Sequence, residues 1–273
     1  MRLLRSNLRK LVRRPATWVT FFLLVGLLLL ILLAVVVGSQ ETRNPQAALG
    51  ARLFVTFPGA YELILAMVLG IGGLLVVLYG AAIAGSEWTW GTLKAAVARG
   101  ESRARYTIAG FEAVAIFAII GLLLAFLIGV AGAAVGATII GVSLDGMGDA
   151  DTIGRMPELF ARAGLAMSMN AAFGYAIATI ARSQLAGIGV GIGLFFAEGI
   201  AGIFLPDVIK WFPFASSSAV VSISNGAAAG MGGGGGGLGA TLDPNTAVLA
   251  TAGWLVASVL VAALWTERAE IGG

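Results

Sequence analysis

The chain has 273 residues, of which 59% are hydrophobic and 11% charged, with a formal net charge of +3. A soluble globular domain covers its surface with roughly a quarter charged residues, so water is not the main solvent of this chain. Cysteine and histidine are both absent, which excludes disulfide frameworks and thiolate catalysis and removes the commonest general base and transition-metal ligand.

The basic residues are unevenly placed. Arg2, Arg5, Arg9, Lys10, Arg13 and Arg14 all precede Pro15, and Leu4, Leu8, Leu11 and Val12 form a stripe among them at helical spacing. That pattern predicts an amphipathic helix over residues 1–14, lying on the inner leaflet with its six cations among anionic headgroups. The same charges also serve to fix topology. The apolar run Ala16–Val37 follows. It is long enough to cross a hydrocarbon core about 30 Å thick, and no small-residue cleavage site follows it, so it reads as a retained anchor rather than a signal peptide.

Further apolar stretches at Tyr61–Ala84, Tyr106–Ile140, Phe160–Ala181, Gln184–Leu205 and Thr246–Trp265 predict an all-α integral membrane protein. It has six transmembrane helices and forms a single membrane domain over residues 1–273. The third stretch exceeds a straight crossing, so it should tilt, bend near Gly129, Gly132 and Gly136, or emerge from the bilayer. Six spans bring both termini to one side. That side holds the N-terminal cations together with Lys94, Arg99, Arg103, Arg105, Arg182 and Arg268. The other holds only Arg43, Arg52, Arg155, Arg162 and Lys210 among many acids. Short basic connections resist translocation, so the termini are expected to be cytoplasmic; the expected location is the plasma membrane of a prokaryote.

Two glycine-rich patterns imitate nucleotide sites without the residues such sites need. The run Met231–Gly239 ends in Leu238 and Gly239, where a phosphate loop requires Lys followed by Ser or Thr. It reads as flexible spacer. Gly187, Gly189, Gly191 and Gly193 lie inside an apolar span and read as close-packing positions. The connection from Pro206 to Asp243 (206–243) contains Trp211-Phe-Pro-Phe214 and Ala219–Ser224, too apolar for a solvated loop. It is expected to be partly re-entrant on the extracytoplasmic side.

Three carboxylates fall within or beside spans. Glu62 and Glu112 lie near span ends, where they would reach an interface or pair with a base, Arg103 or Arg105 in the case of Glu112. Glu198 lies well inside the fifth span, where an unpaired charge costs roughly 2.5–3.5 kcal/mol, so it must face protein or a water-filled cavity. Glu198 and Asn170 are therefore candidates either to line a translocation pathway or to make structural hydrogen bonds.

The connection between the second and third spans, residues 85–105, has the richest pattern. Good helix formers run from Trp90 to Ala98, Gly100 is a natural stop, and Ser102 can begin the next helix. The residues suggest a short amphipathic helix on the cytoplasmic face, although a basic loop anchored by Trp88 and Trp90 fits the pattern too. Gly85, Glu87, Gly91, Thr92, Leu93, Arg99, Gly100, Ser102 and Arg103 together resemble the coupling loop of ATP-binding-cassette exporter permeases of the type-2 class. The amphipathic N-terminal helix and the six-span layout resemble that family as well. Many relatives carry Pro near the end of this helix, where Gly100 and Glu101 stand here.

The resemblance implies a permease subunit of an ATP-driven (ABC) exporter that has no nucleotide site of its own. ATP and Mg would be bound by two copies of a separate cytosolic ATPase. Glu87, Gly91, Thr92, Leu93, Arg99 and Arg103 would contact that subunit, with Glu87 favoured by the dipole near the start of the coupling helix. Cargo would be amphipathic or hydrophobic and would move by alternating access between two permease copies, a homodimer or a pair of close paralogues. Gly199 and Gly202 of the fifth span are one surface where the copies could meet. Membrane lipid is a further partner, nucleic acid is not, and neither a metal nor a catalytic residue is expected. The alternative from the residues themselves is a secondary transporter that carries protons on Glu198 and Glu112. An intramembrane enzyme fits poorly, because His and Cys are missing and no Ser or Asp pair has convincing spacing.

Overall fold

The computed structural model describes residues 2–41, 50, 52–221 and 241–269. In chain order its helices are α1 (Arg2–Val12), α2 (Pro15–Glu41), α3 (Gly59–Thr89), α4 (Thr92–Val97), α5 (Arg103–Ile139), α6 (Ala150–Ala181), α7 (Gln184–Phe204), α8 (Pro206–Ile209), α9 (Pro213–Ser218) and α10 (Pro244–Arg268), with a 3-10 turn over Asp145–Gly148. Six of them, α2, α3, α5, α6, α7 and α10, are long and apolar enough to cross a membrane. This is a multi-pass membrane protein.

The bundle is organised around α3 and α6, whose apolar windows are 78% and 72% buried, against 22–44% for the other four spans. Glycine sets the distance between these two helices. A Cβ on Gly80 would collide with the Ala171 carbonyl, and one on Gly174 with the Val77 carbonyl, so the two backbones touch where side chains would otherwise intervene. Gly187 and Gly191 bring α7 against Ala178 and Val77 in the same way, whereas Gly189 and Gly193 face open space. Only Gly187 and Gly191 of that glycine series are therefore packing positions.

The glycines of the third span serve helix packing. α5 is one uninterrupted helix, and Gly129, Gly132 and Gly136 receive Leu28, Leu32 and Val36 of α2. The stripe Leu24, Leu28, Leu32 and Val36 is the buried edge of α2. Phe22, Leu23, Leu30 and Leu33 on its other side are exposed, as suits a helix bordered by lipid.

Helix ends move relative to the sequence expectations for local reasons. α6 begins ten residues before Phe160, because Asp149 caps it by accepting from the Thr152 N–H and Pro157 is tolerated inside it. α3 continues through Gly85–Thr89, so the short connecting helix starts at Thr92 rather than Trp90, after Gly91 at φ 64°. Gly100, at φ 87°, ends that turn, and Ser102 caps α5. The glycine run 231–239, residues 222–224 and Arg43 lie outside the described residues.

Candidate functional site at the two ends of the bundle

One end of the bundle gathers α1, the start of α2, the end of α3, α4, the start of α5 and the end of α10. Its centre is Glu87. This carboxylate is in the last turn of α3 rather than at the start of the short helix, and it is 8% exposed. One of its oxygens accepts from Lys10 Nζ at 2.5 Å and Arg14 Nη2 at 2.9 Å; the other accepts from the Tyr106 hydroxyl at 2.6 Å and from Thr92 Oγ1. Arg14 also donates to Ser86 Oγ at 2.6 Å and lies over the Trp90 ring. α1, α3, α4 and α5 are thereby joined through one side chain.

The geometry divides the six N-terminal cations. Arg5, Arg9 and Arg13 are exposed, Arg14 is buried and Lys10 is partly buried, while the side chain of Arg2 lies outside the described residues. Burial pulls the Lys10 ammonium below the usual lysine range, opposed by the Glu87 carboxylate beside it. The inward edge of α1 is Asn7 and Leu11, continued by buried Arg14 in the corner before α2, and Val12, assigned above to the apolar stripe, is 48% exposed. Lys10 and Arg14 are the partners that sequence reasoning missed. Their spacing of four, on the edge shared with Leu11, was the available signal.

α4 buries Leu93 and Ala96 against Tyr106, Leu3 and Trp88. Its outward residues are Lys94 and Ala95, continued by exposed Ala98 and Arg99 just past its end, and Trp90 before its start is 64% exposed. Of the residues assigned to a partner contact, Glu87 and Leu93 therefore point inward, Gly91, Thr92 and Arg103 are half-buried, and Arg99 is exposed. Arg103 donates to the Ala269 carbonyl at 2.6 Å and the Glu267 carbonyl at 3.3 Å, and Glu267 Oε2 accepts from the Ala104 N–H. The start of α5 thus caps the end of α10. Arg103 is committed to this cap, and Glu112 is exposed with no ion pair among the described residues. The expected pairing of Glu112 with Arg103 or Arg105 does not occur.

At the opposite end, α8 and α9 form a broken segment that folds back against the spans. Glu198 of α7 is 5% exposed, and its Oε2 accepts from the backbone N–H groups of Phe214 at 3.0 Å and Ala215 at 3.1 Å. Those are orphan donors of the first turn of α9, which Pro213 opens. Asn170 Oδ1 accepts from Ser217 Oγ at 3.2 Å. Trp254 donates its indole N–H to the Trp211 carbonyl at 2.8 Å, and Arg162 reaches Asn245 Oδ1 at 3.0 Å. Glu198 and Asn170 thus converge on one short helix. Gly202 of the fifth span is buried within the chain and Gly199 is partly covered, so the outward surface of α7 is made by residues such as Gly193, Phe196 and Ile200.

Among the described residues no cluster of three metal-ligating side chains occurs. No curated protein matches the chain. A family model described as a protein of unknown function, DUF2705, matches residues 54–234, a region that runs from just before α3 through the segment following α9. The chain therefore belongs to the DUF2705 family.

Proposed function

We propose that this chain is the permease subunit of an ATP-driven exporter, with ATP hydrolysed by a separate cytosolic subunit. The carrying observation is the Glu87 junction. α4 is a short helix with an exposed outer side, held at both ends by membrane spans and tied through Thr92, Glu87, Lys10 and Tyr106 to α1 and α5. A soluble partner that displaces such a helix moves its attached spans with it, because a packed junction shifts between discrete arrangements rather than deforming smoothly. Glu87 then acts as a positioning residue inside the lever, and the docking surface is the outward side of α4 with Trp90 and Arg99.

At the other end, the α8–α9 segment, held by Glu198 and Asn170, closes the outer mouth of a pathway formed with a second permease copy. The cargo is amphipathic or hydrophobic. The proton-coupled alternative gains less from the geometry. Glu112 is exposed on α5 near the α1 end, Glu198 is engaged by α9 at the opposite end, and no described chain of titratable groups joins them.

Purification from native membranes in mild detergent tests the reading. An ATP-hydrolysing subunit should travel with the chain, and Arg99→Glu should release it while the permease stays folded. A chain that transports cargo with no such companion sinks the proposal.

A further inference from the structure

One cavity among the described residues has no role in the junctions described above. It measures about 130 Å³ and lies among α2, α3 and α5 in the half of the bundle next to α1. Its floor is buried and apolar, formed by Leu24, Leu75, Leu122 and Met167. Trp18, Ile120 and Leu124 line it as well, and each is more than 40% exposed, so the cavity opens sideways between α2 and α5 onto the surface bordered by hydrocarbon.

Water does not suit this space. A buried water needs two to four polar partners, and an apolar cavity of about 150 Å³ stays dry while accepting a benzene-sized ligand. The hydroxyls nearest the α1 end are already engaged. Thr17 Oγ1 donates to the Leu11 carbonyl at 2.8 Å and lies 3.0 Å from the Tyr79 hydroxyl. One wall is left open, because a Cβ on Gly121 would meet nothing within 4 Å.

The rim of the opening is joined to a basic corner of the chain. Trp18 donates its indole N–H to the Val12 carbonyl at 2.8 Å, which ties the rim to the corner between α1 and α2. Exposed Arg9 and Arg13 stand at or just before that corner. We infer that the cavity takes up a short segment of one acyl chain of an anionic phospholipid from the surrounding bilayer, the rest of the chain lying along the opening between α2 and α5 and the headgroup beside Arg9 and Arg13. Hydrocarbon fills the dry space, and guanidinium groups at the membrane surface select the anionic headgroup. The inference rests on the membrane-spanning fold and is independent of the transport reading.

Native mass spectrometry of the chain, taken from bilayers of phosphatidylglycerol and phosphatidylcholine with identical tails, provides the test. The wild-type chain should retain a phospholipid, with phosphatidylglycerol preferred. Gly121→Phe fills the open wall, and Thr20→Phe fills it from a second lining position; both should lose the retained lipid. Gly193→Phe, which adds the same ring to an open site on α7 outside the cavity, should keep it. Arg9→Gln with Arg13→Gln should keep a lipid but lose the preference. The inference is overturned if the wild type retains no lipid, if Gly121→Phe and Thr20→Phe retain as much as wild type, if Gly193→Phe loses lipid equally, or if the arginine double variant keeps its selectivity.

Discussion

Glu87 and Glu198 are both carboxylates buried in a membrane bundle, at opposite ends, and their partners differ in kind. Glu87 receives a lysine, an arginine and two hydroxyls. Glu198 receives two backbone N–H groups, and no described cation pairs with it. The first arrangement exchanges hydration for opposite charge supplied by an element 73–77 residues away, so it locks α1 onto the α3–α5 connection. The second satisfies the orphan donors of a six-residue helix that could not stand alone in hydrocarbon. A buried carboxyl group is thus used at one end to join elements through charge and at the other to hold a broken segment in place through backbone hydrogen bonds.

The largest effect separating the two ends should come from Glu87→Ala. It leaves Arg14 and Lys10 without their anion, and breaking a buried pair by removing one partner costs about 3–5 kcal/mol. Lys10 is partly solvated, which places the expected loss near the lower end of that range. Thermal unfolding in detergent should show a marked fall, and a cysteine in α1 should become more reactive. Restoring neutrality with Lys10→Met and Arg14→Leu should recover part of the loss. If the triple variant is no more stable than Glu87→Ala, the junction is not held by charge.

Glu198→Ala should cost less, about 1–3 kcal/mol for donors left unsatisfied, with faster labelling of a cysteine at Ser216 as its local signature. Substituting glutamine at each site sharpens the contrast. Glu198→Gln still presents an acceptor to Phe214 and Ala215, so stability should change little. Glu87→Gln keeps an acceptor but leaves two cations uncompensated, so most of the Glu87→Ala loss should remain. Equal effects at the two positions would mean that the two carboxylates are held alike.

Smaller still is Arg103→Ala, which removes two hydrogen bonds to the end of α10. A loss of about 1 kcal/mol is expected, because the last carbonyls of a helix near the membrane surface regain water. Arg99→Ala should leave stability unchanged, since Arg99 is exposed and its side chain bonds only to its own helix. Its effect should appear instead in the ATP hydrolysis of the assembled complex.

The two ends also differ in how far they can be read from sequence. The existence of all six spans follows from hydropathy, because hydrocarbon demands long apolar helices. Gly100 and Ser102 mark local backbone events that need no tertiary context. The partners of Glu87 are not legible, because residues 10, 14, 87, 92 and 106 meet only once the spans pack. A cation on a surface helix looks the same in sequence whether it faces headgroups or a carboxylate. Glycine was ambiguous for a related reason. Gly129, Gly132 and Gly136 weaken a helix in isolation but accept Leu28, Leu32 and Val36 when α2 lies against them. The early start of α6 was hidden by Asp151, Arg155 and Glu158, which look like loop residues yet sit on a helix capped by Asp149.

The absence of native cysteine makes a single introduced thiol a unique reporter, and α4 is where the central claim meets a partner. With Ala95→Cys on the exposed side of α4 and Gly193→Cys on the outward side of α7, a short cross-linker applied to native membranes should join the α4 position to an ATP-hydrolysing subunit and leave the α7 position unlinked to it. ATP should change the yield at α4 if that helix moves with hydrolysis. An α4 thiol that never captures such a subunit, in membranes where the chain is active, would contradict the account.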